Sequence, residues 1–496
     1  MSLQTISIIY FAAFLIFLII VAIWAARQKS GGNTGAATEH FLGGKTTPMF
    51  VLAMSYCASA VSAGSFIGDP ALMAEIGWPY FWQVIFLVPG LVIPGFFIIR
   101  KLRLQSEKYG VMTINEYYGA RFKSPFLQLF IAIVILFCFS VILVAQFKAA
   151  SILLGRFTGL DFVPCLIVIA AVVLFYTNTG GLRSVAWTDF FQGLLMCVLC
   201  IILIATGLVK VGGFGGLETS LGENWPDMLN IIQTGPEAQV GIMGIFGFFL
   251  FDFFAMFSLP YITSRYIALK EVSRKSVGQF LLISLVTGIL FNLMFINGLV
   301  GKVLFPEAPS DYLTITMSTE LVTPVVAGLL MVGFFSAIIS TATSILLVVG
   351  QCTGRDIYGY FWKNAPEANQ VKVSNITNIV VMLLVVVFNL YKTPALLQIF
   401  IFIGMTGVGS ACCAPLFCGV LWDKATREGA IASAIAGPVS YVIMMHVFDV
   451  NWVWGMGAAV LWAFGAMFAV SWVVHKTRGN DMEMVTHASV ETDEIS

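Results

Sequence analysis

The chain has 496 residues, of which 59% are hydrophobic and only 10% charged, and its formal net charge is zero. Soluble domains carry about 25% charged residues, so a water-soluble core is excluded, and no basic excess points to nucleic acid. Apolar runs near the roughly 20 residues that cross a bilayer as a helix recur from end to end.

Thirteen such runs are expected as transmembrane helices, over 6–26, 49–73, 79–100, 125–154, 162–178, 188–211, 240–262, 276–302, 322–350, 373–391, 394–421, 428–448 and 452–474. The first run has no basic start and is too long for a signal peptide; Arg27 and Lys29 follow it instead. With the N-terminus outside, 21 of the 26 Lys and Arg fall on cytoplasmic segments, leaving Lys148, Arg156, Lys210, Lys302 and Lys392 elsewhere. The positive-inside rule therefore predicts N-terminus outside, C-terminus cytoplasmic, and an odd helix count. Residues 1–474 read as a single transmembrane domain, with 475–496 as a polar cytoplasmic tail, and loop 213–239 is expected to cover the outer face. The nine Cys, mostly inside apolar runs, lack metal or disulfide spacing and read as small core residues.

An ionisable group at membrane depth is a functional candidate by default. Along the chain these are Asp69, Lys148, Asp189 and Asp252. Asp69 closes Met54-Ser-Tyr-Cys-Ala-Ser-Ala-Val-Ser-Ala-Gly-Ser-Phe-Ile-Gly-Asp-Pro70, a run dense in hydroxyls, glycine and proline within the second helix. It reads either as a small-residue packing seam or as a broken helix whose freed carbonyls coordinate ions. Lys148 either snorkels outward or touches a solute; Asp252 pairs with it or with the solute. Asp189 either caps a helix or faces a cation. Ser336, Ser340, Thr343 and Ser344 lie three or four apart on one face of the ninth helix, flanked by Thr341. That face serves interhelical hydrogen bonds or an ion, since hard cations prefer oxygen ligands. Gly43-Gly-Lys-Thr46 fails as a phosphate loop because Glu39 stands where its first glycine is required.

These residues resemble the sodium:solute symporters over nearly the full length. The resemblance is carried by the thirteen-helix pattern, Glu39-His-Phe-Leu-Gly-Gly44, Ser62-Ala-Gly-Ser-Phe-Ile-Gly68, Thr179-Gly-Gly-Leu-Arg-Ser-Val-Ala-Trp-Thr-Asp-Phe-Phe-Gln192, the Ser340-Thr341 pair and Gly354-Arg-Asp-Ile-Tyr358. It implies an all-α membrane protein of the LeuT type, a 5+5 inverted repeat over about 49–211 and 240–421. It implies one sodium site formed by carbonyls of Ala58, Val61 and Ala337 and hydroxyls of Ser340 and Thr341. Some members hold a second sodium, which here would use Asp189, Ser340, Thr343 and Ser344.

Leu259-Pro-Tyr261, Arg265 and Val51-Leu-Ala-Met-Ser55 are most similar to the pantothenate and monocarboxylate branch, with Tyr261 where that branch has His. Ala60 and Ile142 stand where proline and sialic-acid members place their signature Asp and Arg. The expectation is thus sodium-coupled import of a small carboxylate by alternating access, with no enzymatic step. Ser59, Ser62, Ser65, Phe66, Gln83 and Gln146 would surround the solute, with Lys148 and Asp252 in contact with it. The partners are sodium, solute and lipid, with a monomer as default, in the plasma membrane (the bacterial inner membrane). The alternatives are symport of a sugar, amino acid or sialic acid, a channel, or a solute sensor.

Overall fold

The computed structural model describes residues 2–28, 35–235, 238–391 and 397–478. Lys29, Lys392 and the tail beyond 478, all used in the topology expectation, lie outside the described residues. No strand occurs among those described.

The chain opens with α1 (Leu3–Arg27), begun by Ser2, whose hydroxyl accepts from the Thr5 N–H at 3.3 Å, and a short α2 (Ala36–Leu42). Next, α3 (Met49–Ala60) and α4 (Gly64–Ile76) form one broken helix bent by 55°. Then come α5 (Phe81–Tyr109), α6 (Ile114–Arg121), α7 (Pro125–Thr158), α8 (Phe162–Lys210) and α9 (Gly213–Asn224). A second broken helix follows, α10 (Ile242–Ser258) and α11 (Pro260–Ala268), bent by 50°. The chain continues through α12 (Arg274–Leu304), α13 (Leu313–Glu320), α14 (Pro324–Phe361), α15 (Glu367–Tyr391), α16 (Gln398–Leu421), α17 (Arg427–His446) and α18 (Trp452–Thr477).

Among the described residues ten helices are long and apolar enough to cross a membrane, or twelve with each broken pair as one span. Runs 162–178 and 188–211, expected as two helices, are continuous in the 49-residue α8. At 1.5 Å per residue α8 is about 74 Å long, more than twice a bilayer core of about 30 Å. Gly181, with φ 56° and ψ −149°, interrupts it between the two expected runs; counting the two legs separately gives thirteen. The two bent pairs open the two expected repeats, with a π-turn at Gly64–Gly68 in one and at Phe251–Ala255 in the other.

Burial separates scaffold from lipid face. The apolar windows of α14 and α16 are each 83% buried, while that of α15 is 28% buried and exposes Leu383, Leu384 and Phe388. The polar residues of α14 are therefore enclosed by protein.

Two of the sequence motifs meet at the α8 break. Arg183 donates to the Gly43 carbonyl at 2.6 Å and to Thr46 Oγ1 at 2.8 Å, and pairs with Glu39 at 3.0 Å. Burial pushes the neighbouring His40 imidazole down to about 4, so it is neutral here. A methyl group at Gly181 would overlap the His40 carbonyl, and its backbone region is essentially closed to other residues. Gly181→Ala should therefore lose about 2–3 kcal/mol, read as a lower thermal midpoint in detergent. Gly278→Ala, where nothing lies within 4 Å, should not. Equal midpoints would show that the turn relaxes freely.

Candidate functional site

A helix that stops leaves its last carbonyls without intrahelical partners. α3 stops because Val61 turns to φ −101°, ψ 125°. The open carbonyls are met by α14. Ser340 Oγ donates to Ala58 O at 2.8 Å and reaches Ala337 O at 3.1 Å. Thr341 Oγ1 donates to Ser59 O and Val61 O, each at 3.0 Å, and lies 3.3 Å from Ala337 O. Ala58, Val61, Ala337, Ser340 and Thr341, the five residues expected at the first ion site, are thus brought together, all buried. Their uncharged oxygens are a donor set suited to a hard monovalent cation.

The second expected group is arranged differently. Asp189 Oδ2 accepts from Ser55 at 2.6 Å, Ser59 at 3.2 Å and the Arg265 guanidinium at 3.3 Å. Arg265 also donates to Ser59 at 2.9 Å, to Ser344 and to the Tyr261 carbonyl. Both members of the ion pair are fully buried. Thr343 is bonded back to Ile339 O at 2.9 Å and Ser340 O at 3.1 Å. So Ser340 turns to α3, Thr343 to its own helix, and Asp189 and Ser344 share two partners, Ser59 and Arg265.

The residues expected around a solute also divide. Ser59 belongs to the Asp189–Arg265 cluster, bonded to Ser344 at 2.9 Å. Ser62 Oγ accepts from the Gly64 N–H at 3.0 Å, bridging the helix break, and Gln146 Oε1 accepts from the Ala63 N–H at 3.3 Å. Ser65 is half-buried in the same break. Phe66 is buried against the rings of Phe291 and Phe334. Gln83 donates to Asp252 Oδ1 at 3.4 Å. Lys148 lies close to Asp311, in the segment before α13. Burial and neighbouring Glu75 push the Asp311 carboxyl up, and Lys148 draws it back.

Asp69 Oδ1 accepts from Tyr80 at 2.7 Å and from Gln398 at 2.6 Å. Asp252 Oδ2 and Gln146 Nε2 are buried without a hydrogen-bond partner among the described residues. Among the described residues neither Asp69 nor Asp252 is in an ion pair. Each carboxylate sits on a π-turn of a different broken helix or at its edge.

Sequence reasoning treated Arg265 only as a cytoplasmic charge and a branch marker. Its signal was the arginine itself, inside a segment otherwise suited to membrane depth, opposite Asp189 and the i, i+4 pair Ser55 and Ser59. It also passed over Tyr80 and Gln398. The side chain of Gln398 occupies the space a Cβ would take at Gly64 and Gly68, which accounts for both glycines.

The model of the sodium:solute symporter family matches residues 40–437. A sodium/pantothenate symporter of Haemophilus influenzae is 27% identical over 440 residues, 88% of this chain and 89% of its own. A high-affinity proline transporter of Bacillus subtilis is 27% identical over 420 residues, 83% and 87% of the two chains. Among solved structures, a Na+-coupled sialic acid symporter in a substrate-bound outward-open state matches with a TM-score of 0.79. Its identity is 20%, over 94% of this chain and 97% of that one. The fold is thus that of the LeuT-type transporters.

Removing one partner of a buried ion pair strands the other charge, at about 3–5 kcal/mol. Arg265→Gln alone should lower the thermal midpoint strongly, and Arg265→Gln with Asp189→Asn should recover most of the loss. Additive losses across that double-mutant cycle would show that the two side chains do not depend on each other.

Proposed function

Because the chain belongs to the sodium:solute symporter family, a family of multi-pass membrane transporters, we propose that it imports a small organic solute by sodium-driven alternating access. The observation that supports this most is the convergence of Ala58, Val61, Ala337, Ser340 and Thr341 between the broken end of α3 and the buried face of α14. Sodium held there carries charge between the broken end of α3 and α14, which meet at this point through hydroxyl bonds. It biases the protein toward the state in which the α3–α4 break is closed around a solute, as coupling requires of a ligand that favours one state. The membrane potential adds about 2.3 kcal/mol per charge per 100 mV. The expected halves, about 49–211 and 240–421, each open with a broken helix, which suits rocking of one part against the other around a fixed site. A monomer in the bacterial inner membrane satisfies these requirements.

Similarity to the pantothenate symporter favours a carboxylate such as pantothenate or a short monocarboxylate. Ser62, Ser65, Gln83 and Gln146 supply polar contacts near the break. A second reading rests on Asp69 and Asp252, two buried carboxylates without a cationic partner among the described residues. An isolated buried charge is costly, and a solute nitrogen carrying positive charge offsets it. An amino-acid-like solute, with both charges, meets both observations.

In proteoliposomes, uptake of the solute should require an inward sodium gradient and collapse when potassium replaces sodium. Ser340→Ala should raise the sodium concentration for half-maximal uptake about tenfold, the equivalent of one lost contact of about 1.4 kcal/mol. Accumulation unchanged in potassium would refute sodium coupling. For the solute class, competition of uptake by a simple monocarboxylate, an amine and an amino acid decides. Inhibition by the monocarboxylate alone would remove the amino-acid reading.

A further inference from the structure

We propose that Arg265 is the resident cation of the Asp189 pocket, so that this chain couples to one sodium ion and not two. The inference rests on the sodium-symport reading above and specifies its stoichiometry.

Three observations carry it. The guanidinium lies where a second ion would have to bind: it contacts Asp189 Oδ2 at 3.3 Å, Ser59 at 2.9 Å and also Ser344. Two of the four groups expected to ligate that ion are therefore engaged by a positive charge covalently fixed to α11. Of the other two, Ser340 donates to the α3 carbonyl of Ala58 and Thr343 to its own helix, which leaves only their lone pairs for a cation that would have to sit beside the guanidinium. Finally, Arg265 is fully buried, and its remaining bonds run to the Tyr261 carbonyl, Ser264 and Ser55. It has no water-facing position to retreat to in this arrangement.

The unpartnered oxygen of the carboxylate, Asp189 Oδ1, does not restore the site. A sodium ion held there would meet the guanidinium's repulsion across the width of one carboxylate. Its neighbours Gln192 and Tyr176 are buried on the same helix, with Gln192 Nε2 and Oε1 and the Tyr176 hydroxyl also unpartnered among the described residues. They are polar groups without charge to counter that repulsion.

The arginine also explains why Ser55 and Ser59 lie on the Asp189 side of α3. With them, one guanidinium joins α3, α8, α11 and α14, a role an exchangeable ion would fill only while bound.

The test counts bound sodium on the purified full-length protein by equilibrium dialysis with radioactive sodium. One ion per chain is expected for the wild type. One ion is also expected for the charge-neutral double variant Arg265→Gln with Asp189→Asn, and about half an ion for Ser340→Ala at ten times the wild type's half-saturating sodium concentration. Arg265→Gln alone frees the carboxylate, and should bind a second ion and gain thermal stability with sodium in a second saturable phase. Two ions on the wild type, falling to one in the double variant, would overturn the proposal while leaving sodium symport intact. No bound ion on the wild type would instead overturn the symport reading beneath it. If Arg265→Gln fails to fold, the count on the wild type and the double variant still decides.

Discussion

The carbonyls left open where α3 stops must find partners inside the protein, because hydrocarbon offers none. Much of the architecture answers that need. α14 is buried along most of its apolar window because it has to bring Ser340 and Thr341 to Ala58, Ser59 and Val61. A hydroxyl both donates and accepts. It can satisfy a carbonyl with its own proton, as seen here, or turn that proton aside and share a cation with the same carbonyl. The contact thus has two satisfied forms with the same residues. A broken helix between them responds to which form is present, which is what the proposed sodium coupling needs.

Buried charge is treated in two ways. Asp189 is neutralised internally by Arg265 and fixed further by Ser55 and Ser59. Asp69 and Asp252 receive hydrogen bonds from Tyr80, Gln398 and Gln83 but no ion pair among the described residues. Two unit charges 4 Å apart interact by about 4 kcal/mol at an effective dielectric constant near 20, so the difference between the two treatments is large on the scale of binding. It separates a pocket whose charge is already answered from one that gains by meeting a cationic group. The broken helices hold the second kind, at their π-turns. The leg of α8 that follows Gly181 holds the first.

The membrane class, the broken second helix and the hydroxyl face of α14 were legible because each follows from a local pattern: apolar length, glycine with proline, and hydroxyls at helical spacing. The break of α8 was legible as a gap between apolar runs around Gly181, although the helix continues through most of that gap. What the sequence did not reveal was partnership. Arg265 obeys the positive-inside count as readily as any surface arginine, and only the 50° bend at Leu259–Pro260 carries it into the interior. Gln398 and Tyr80 sit in ordinary apolar segments, and nothing local marks them as neighbours of Asp69. Thr343 shares a helix face with Ser340 and Ser344, yet spacing alone could not show that its hydroxyl bonds back to its own turn.

Arg265 links the two broken helices energetically. It belongs to α11, the second leg of one, and binds Ser55 and Ser59 on α3, the first leg of the other. It also binds Asp189 on α8 and Ser344 on α14. If α3 moves away from α14, the guanidinium must either follow α3 and leave Asp189 and Ser344, or stay and leave Ser55 and Ser59. Hydrogen bonds to a charged group are worth about 1.5–3 kcal/mol each, so neither course is neutral. A motion that keeps these bonds holds all four helices together at this level and bends the chain elsewhere, at the helix breaks following Ala60 and Ser258. The proposed sodium position at Ser340 and Thr341 lies one helical turn from this anchor, so the charge fixed at Arg265 and the charge proposed for the end of α3 would act on adjacent turns of α3 and α14.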